Sequence, residues 1–119
     1  MTITLYGIPN CDTVKKARTW LLENGIDFTF HDFKKHGLDR AMAASWLDQR
    51  DWEVLVNRKG TTWRNLADDQ KAAVVDQASA LALMLAHTSV VKRPVLAGAD
   101  GLQVGFTPAQ YASAFKAAA

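Results

Sequence analysis

The chain has 119 residues, 49% hydrophobic and 22% charged, with a formal net charge of +2. This suits one globular domain with a single core, and the weak, dispersed charge gives no footprint for nucleic acid. One cysteine rules out an intramolecular disulfide or a cysteine-based zinc cluster.

The opening "MTITLYG" has no basic stretch leading into an apolar one, so no secretory leader is expected. No apolar run approaches the ~20 residues that span a bilayer, so no membrane association is expected either. A reducing, cytoplasmic setting suits the single thiol.

Ile3 to Tyr6 is short and apolar, bounded by Gly7 and Pro9, and reads as a buried strand. From Cys11 the pattern becomes helical, with Val14, Ala17, Trp20, Leu21 and Leu22 in register and Gly25 where the helix should stop. Ile26, Phe28 and Phe30 then alternate with Asp27, Thr29 and His31, which predicts a second strand. A strand–helix–strand unit of this length predicts parallel pairing.

The stretch from about 38 to 88 is helix-rich. Leu38, Met42, Trp46 and Leu47 mark one helical face. "LADDQKAAVVDQASALALMLAHTS" reads as two helices meeting near Gln77 to Ser79, and "VNRKGTTWRNL" as a polar loop with a glycine turn. Further on, Pro94 to Ala97 and Leu102 to Val104 read as an antiparallel hairpin joined by "AGADG". Thr107-Pro108-Ala109-Gln110 predicts a helix start, with threonine at the N-cap, proline at N1 and glutamine completing a capping box. The order βαβ, helices, ββα fits an α/β fold. Its compact solution is a thioredoxin-like, four-stranded mixed sheet flanked by helices, with a helical insertion over 38–88.

Cys11 stands where the first strand hands over to the first helix. A lone cysteine is often a small buried hydrophobe. Amides at a helix start, however, lack intrahelical partners and carry partial positive charge, which favours a thiolate. The end of a strand that opens a helix in an α/β sheet is also where ligands bind, and the position turns the reading toward chemistry. Lys15 adds a cation near the same end, and Asp12 opposes it.

Lys92-Arg93-Pro94 is a second candidate. It reads as a simple strand entry or as a cis-proline turn, and Arg93 carries a planar fork suited to carboxylates and oxyanions. The clusters Lys15-Lys16-Arg18, Lys34-Lys35-His36 and Arg58-Lys59 read as solvated faces. His31, His36 and His87 have no metal-ligand spacing, so no metal is expected. The four tryptophans read as packing residues.

The segments "LYGIPNCDTVKKARTWLLENGIDFTFHDFKK", "VNRKGTTWR", "VVKRPVL" and "VGFTP" together resemble the ArsC/Spx family of thioredoxin-fold proteins, closest to its YffB-like, glutathione-dependent thiol reductases. The resemblance covers nearly the whole chain as one domain. It implies a redox-active nucleophile at Cys11, with Arg93 as catalytic partner before Pro94. It also implies a substrate or glutathione site drawn from Asn10, Asp12, Thr13, Lys15, Arg58 and Pro94, with Thr13 bonding the sulfur. Glutathione would be the reductant, with glutaredoxin as a possible relay, acting on a small-molecule or protein disulfide. A monomer is expected.

Three departures bear on the alternatives. Asn57 is the gapless match to one arginine of the family's arsenate reductases, with Arg58 offset by one, and Thr107 stands in a stretch where those enzymes carry another. A dianionic oxyanion needs several charge-assisted donors, so arsenate reduction is the weakest alternative. Spx regulators use a Cys-x-x-Cys switch and dock RNA polymerase. Here Val14 fills the second cysteine's place, so that switch is missing; the missing arginines make a non-enzymatic, Spx-like partner-binding protein the runner-up.

Overall fold

A computed structural model describes residues 2–99 and 101–116. The chain divides into two compact units, Met1–His36 with Arg93–Ala119, and Gly37–Lys92.

The first unit holds a four-stranded sheet: β1 (Thr4–Gly7), β2 (Thr29–Asp32), β3 (Val95–Ala99) and β4 (Gly101–Val104), in the order β2-β1-β3-β4. β1 pairs with β2 in parallel, Leu5 opposite Phe30. It pairs with β3 antiparallel, Leu5 opposite Leu96 and Tyr6 opposite Val95. β3 and β4 are antiparallel, as the short connection requires. The strands reach further into "AGADG" than the sequence suggests, β3 to Ala99 and β4 from Gly101; Asp100 lies outside the described residues.

α1 (Asp12–Glu23) follows β1, a short α2 (Phe33–His36) follows β2, and α8 (Pro108–Lys116) follows β4. Val14, Ala17 and Leu21 are the buried stripe of α1. Ala17 and Leu21 join Ile3, Leu5, Leu96 and Tyr111 in one core cluster, so α1 and α8 contribute to the same cluster as one face of the sheet. Tyr111 is edge-on to both Phe106 and Trp20 at ring separations of 4.6 and 5.6 Å. Burial pushes its phenol well above the ordinary value of 10.0.

The expected strand from Ile26 is shorter at its start. α1 ends in a Schellman motif: the amide of Gly25 donates to Leu22 O and that of Ile26 to Leu21 O, with Gly25 at φ +66°. The amide of Ile26 is therefore committed to the helix end. Strand pairing starts later, where the amide of Thr29 donates to Ile3 O.

Gly37–Lys92 contains α3 (Arg40–Gln49), α4 (Trp52–Leu55), α5 (Thr61–Arg64), α6 (Asp68–Ala72) and α7 (Gln77–Ala86), then a 3-10 turn at Thr88–Val90. α3 packs on α7. Trp46 and Leu47 of α3 and Leu83 and Met84 of α7 are buried. "VNRKGTTWRNL" is not all loop, since Thr61–Arg64 forms one helical turn after the glycine.

The break in the long helical stretch falls at 73–76, ahead of the expected 77–79. Asp76 caps α7, accepting from the amide and hydroxyl of Ser79, while Ser79 Oγ accepts from the amides of Val75 and Asp76. This aspartate–serine box satisfies amides that a continuous helix would have used. At the last helix only part of the expected box appears. Thr107 Oγ1 accepts from the Gln110 amide, and the Gln110 side chain donates to Gln103 Oε1 and Val104 O on β4.

The Ser79 amide, then its hydroxyl, holds the Asp76 carboxyl below its ordinary 3.8. A carboxyl depressed on folding contributes stability above its unfolded value and loses it as pH falls through the folded one. Asp76→Ala therefore lowers the urea midpoint by a steady amount over about pH 5–7, and the gap to wild type closes below about pH 4. A gap that widens on acidification would contradict this cap.

Candidate active site

β1 ends at Gly7, and Ile8-Pro9-Asn10 carries the chain to Cys11, the N-cap of α1. Cys11 has extended backbone (φ −123°, ψ 125°) and is half-buried. Its carbonyl accepts from the Lys15 amide at 2.9 Å, the first bond of the helix. Its sulfur makes no capping bond. No hydrogen bond among the described residues takes the amides of Asp12, Thr13 or Val14. The thiol thus stands at a helix start whose donors are unspent, the environment that favours anions.

Val14 fixes this loop. It is fully buried, and a Cβ added at Gly7 would meet its Cγ2 at 2.8 Å. Strand end and helix start touch directly, and only a residue without a side chain leaves room. Val14 is therefore a packing anchor, three residues beyond the thiol. Nothing in the Cys11-Asp12-Thr13-Val14 motif marks it as the partner of Gly7; the close approach across the turn does.

Around the thiol, Asn10, Asp12 and Lys15 are exposed and Thr13 is half-buried. Arg93 and Pro94 stand at the entry to β3, joined by a cis peptide bond. The register explains their position. Val95 lies opposite Tyr6 in the antiparallel β1–β3 pair, so Pro94 and Arg93 run past the end of β1, where Gly7 leads into the Cys11 loop. Pro94 O accepts from the Gly105 amide at 2.9 Å, tying this entry to the chain beyond β4. Arg93 is half-buried and Pro94 buried. The topology brings Asn10, Cys11, Asp12, Thr13, Arg93 and Pro94 to one end of the sheet.

Arg58 belongs to the other unit. There it donates to Glu53 Oε2 at 2.9 Å and lies 5.7 Å from the Trp52 ring centre. Both charges of this pair are about half exposed, at 48% and 50%, so the pair adds little stability. Asn57 does structural work, accepting through its side-chain oxygen from the Lys59 amide and donating its own amide to Val90 O. Of the basic cluster on α1, Arg18 lies 4.5 Å from the Phe30 ring centre, while Lys15 and Lys16 have no carboxylate partner among the described residues.

No helix of the described residues is long and apolar enough to cross a membrane. A family model described as the ArsC family matches residues 6–114. An uncharacterized protein of Haemophilus influenzae is 41% identical over 113 residues, 95% of this chain and 98% of the relative. The global transcriptional regulator Spx of Streptococcus pyogenes is 25% identical over 107 residues, 87% of this chain and 78% of Spx. Among solved structures, a protein named YFFB aligns with a TM-score of 0.90 at 49% identity, covering 95% of this chain and 98% of the other. The fold is the thioredoxin-like α/β arrangement with a mixed four-stranded sheet.

The Gly7–Val14 contact is testable. Gly7→Ala overpacks the turn and costs about 1–3 kcal/mol in urea unfolding. The cost shrinks in a Val14→Ala background, where the clashing methyl is gone. Equal costs in both backgrounds would show that this contact does not set the turn.

Proposed function

The chain belongs to the ArsC family, and within that family we propose that it is a thiol/disulfide reductase with Cys11 as nucleophile and glutathione as reductant. The observation that carries the reading is the lone thiol at the start of α1, beside amides without partners among the described residues, with buried Val14 where the second cysteine of a Cys-x-x-Cys pair would stand. An anionic sulfur suits those amides, and Arg93, brought to the same end of the sheet, adds a permanent positive charge.

The chemistry balances as follows. The Cys11 thiolate attacks one sulfur of the substrate disulfide. A Cys11–substrate S–S bond forms, the old S–S bond breaks, and its electron pair leaves on the second sulfur, which takes up a proton. Cys11 has no second cysteine in the chain to release it, so an external thiolate must attack the mixed disulfide. One glutathione displaces the substrate thiol from Cys11. A second recovers the Cys11 thiolate and leaves as oxidised glutathione. Two electrons pass from two glutathiones to one disulfide.

In this reading Asn10, Asp12, Thr13, Lys15 and Pro94 frame the glutathione. The exposed Lys15 ammonium and the Arg93 fork suit its carboxylates, and Thr13 suits the sulfur. Glutaredoxin is a candidate relay. The reaction calls for no metal.

The Spx relative supports a second reading, a partner-binding protein of the RNA-polymerase-docking kind. It keeps the fold and dispenses with turnover. Arsenate reduction is weaker, because Asn57 and Thr107 stand where more cationic donors would be wanted.

Oxidised glutathione should add one glutathionyl group at Cys11, read by mass spectrometry, and reduced glutathione should remove it. Cys11→Ser should abolish turnover of a small disulfide in an assay coupled to glutathione oxidation. Arg93→Ala should slow that turnover about tenfold, the scale of one charge-assisted hydrogen bond. Absence of an adduct at Cys11 removes the glutathione role. Absence of turnover together with partner binding that ignores Cys11→Ser favours the second reading.

A further inference from the structure

α1 does more than present Cys11. Lys15, Thr19 and Glu23 succeed Cys11 at intervals of four, with Lys16 and Trp20 beside them, so these positions form a stripe that leads away from the thiol and winds round the helix to Trp20. A groove of about 510 Å³ runs along this stripe. Trp20, Phe106 and Pro108 give it an apolar lining, Lys15 and Lys16 stand on the side nearest Cys11, and Glu23 stands at the far end.

The lining is held firmly. The Trp20 ring stacks on Phe115 at 5.9 Å and meets buried Tyr111 edge-on, and Tyr111 also braces Phe106. Trp20 and Phe106 are nevertheless only half-buried. The charges are unanswered: Lys15, Lys16 and Glu23 have no ionic partner among the described residues. The groove is thus polarised, cationic toward the thiol, aromatic in its middle and anionic beyond.

We infer that this groove holds an extended segment of a protein disulfide substrate, with acidic side chains next to its reactive cysteine and an aromatic or large apolar side chain about five residues away. The spacing follows from the helix. Trp20 is nine residues from Cys11, about two and a half turns, so it lies roughly 13 Å along the axis and half-way round a helix about 10 Å across, and an extended peptide following that surface covers the distance in about five residues. Charge complementarity sets the polarity, with acids over Lys15 and Lys16 and none over Glu23. The segment is longer than the small thiol that resolves Cys11, so this surface selects the oxidised partner. The inference rests on Cys11 as nucleophile. It names the substrate as a polypeptide.

The probes are short peptides carrying one cysteine activated as a pyridyl disulfide. Cys11 attacks the peptide sulfur and pyridinethione leaves, giving an optical readout of the second-order rate. A peptide with two acids beside the cysteine and phenylalanine five residues off should react about tenfold faster than versions with two lysines or with alanine for phenylalanine. Both chain directions are tested. Lys16→Glu should reverse the charge preference, and Trp20→Ala should erase the aromatic one. Both variants should keep the wild-type rate toward hydroxyethyl disulfide, which is too small to reach the groove.

Equal rates for all peptides, with normal reaction toward hydroxyethyl disulfide, overturn the groove and leave the reductase reading standing. If no disulfide reacts, anisotropy with labelled peptides whose cysteine is replaced by serine still decides. Preferential binding of the acidic–aromatic peptide to the Cys11→Ser protein upholds the groove and removes the reductase reading. Binding without preference overturns the groove.

Discussion

The site depends on one contact, the close approach of Gly7 at the end of β1 to Val14 in the first turn of α1. That contact leaves only a short turn between strand and helix, and Cys11 sits at its far end as the N-cap. Because Cys11 has extended backbone, its carbonyl begins the helix while its side chain stays outside the ladder of hydrogen bonds. The sheet supplies the rest. The antiparallel register of β1 and β3 carries Arg93-Pro94 past the same end. Position follows from packing and pairing, and the chemistry follows from position.

Much of this arrangement was legible in the sequence. The strand–helix handover at Cys11, the helix stop at Gly25, the parallel first pair and the antiparallel hairpin all rest on local signals: periodicity, glycine, and connection length. The misplaced boundaries share a cause. At Ile26 and at Asp76, apolar patterning ran through a point where specific hydrogen bonds redirect the backbone. The Schellman closure of α1 takes the Ile26 amide, and the Asp76–Ser79 box restarts the helix. Periodicity reports which face is buried; it does not report which amide is already committed. The one-turn helix at Thr61–Arg64 is too short to leave a periodic mark. The candidate site was legible for the same reason as the fold, since helix starts and strand entries have sequence signatures. The Gly7–Val14 contact and the groove beside Trp20 join residues through space, and no local pattern links Trp20 to Phe106.

Val14 stands where the second cysteine of a Cys-x-x-Cys motif would stand. A cysteine at that position would have to leave the core to reach Cys11, whereas valine commits the position wholly to packing. In the proposed reaction, what resolves Cys11 would come from outside the chain. That cycle would have two visitors, an oxidised partner and a small thiol, and the surface offers features for each, with Lys15 common to both: open amides with Arg93 at the end of the sheet, and an aromatic, charge-polarised groove along α1. The membership in the ArsC family accommodates both a reductase and a regulator. The thiol's reactivity is what distinguishes them.

The most direct test is the rate of Cys11 alkylation by iodoacetamide at neutral pH, set against the rate of a cysteine in an unstructured peptide. A nucleophile activated by the start of α1 and by Arg93 predicts a faster reaction than the peptide's, slowed in Arg93→Ala. A rate no faster than the peptide's, unmoved by Arg93→Ala, would contradict the account of Cys11 as an activated nucleophile.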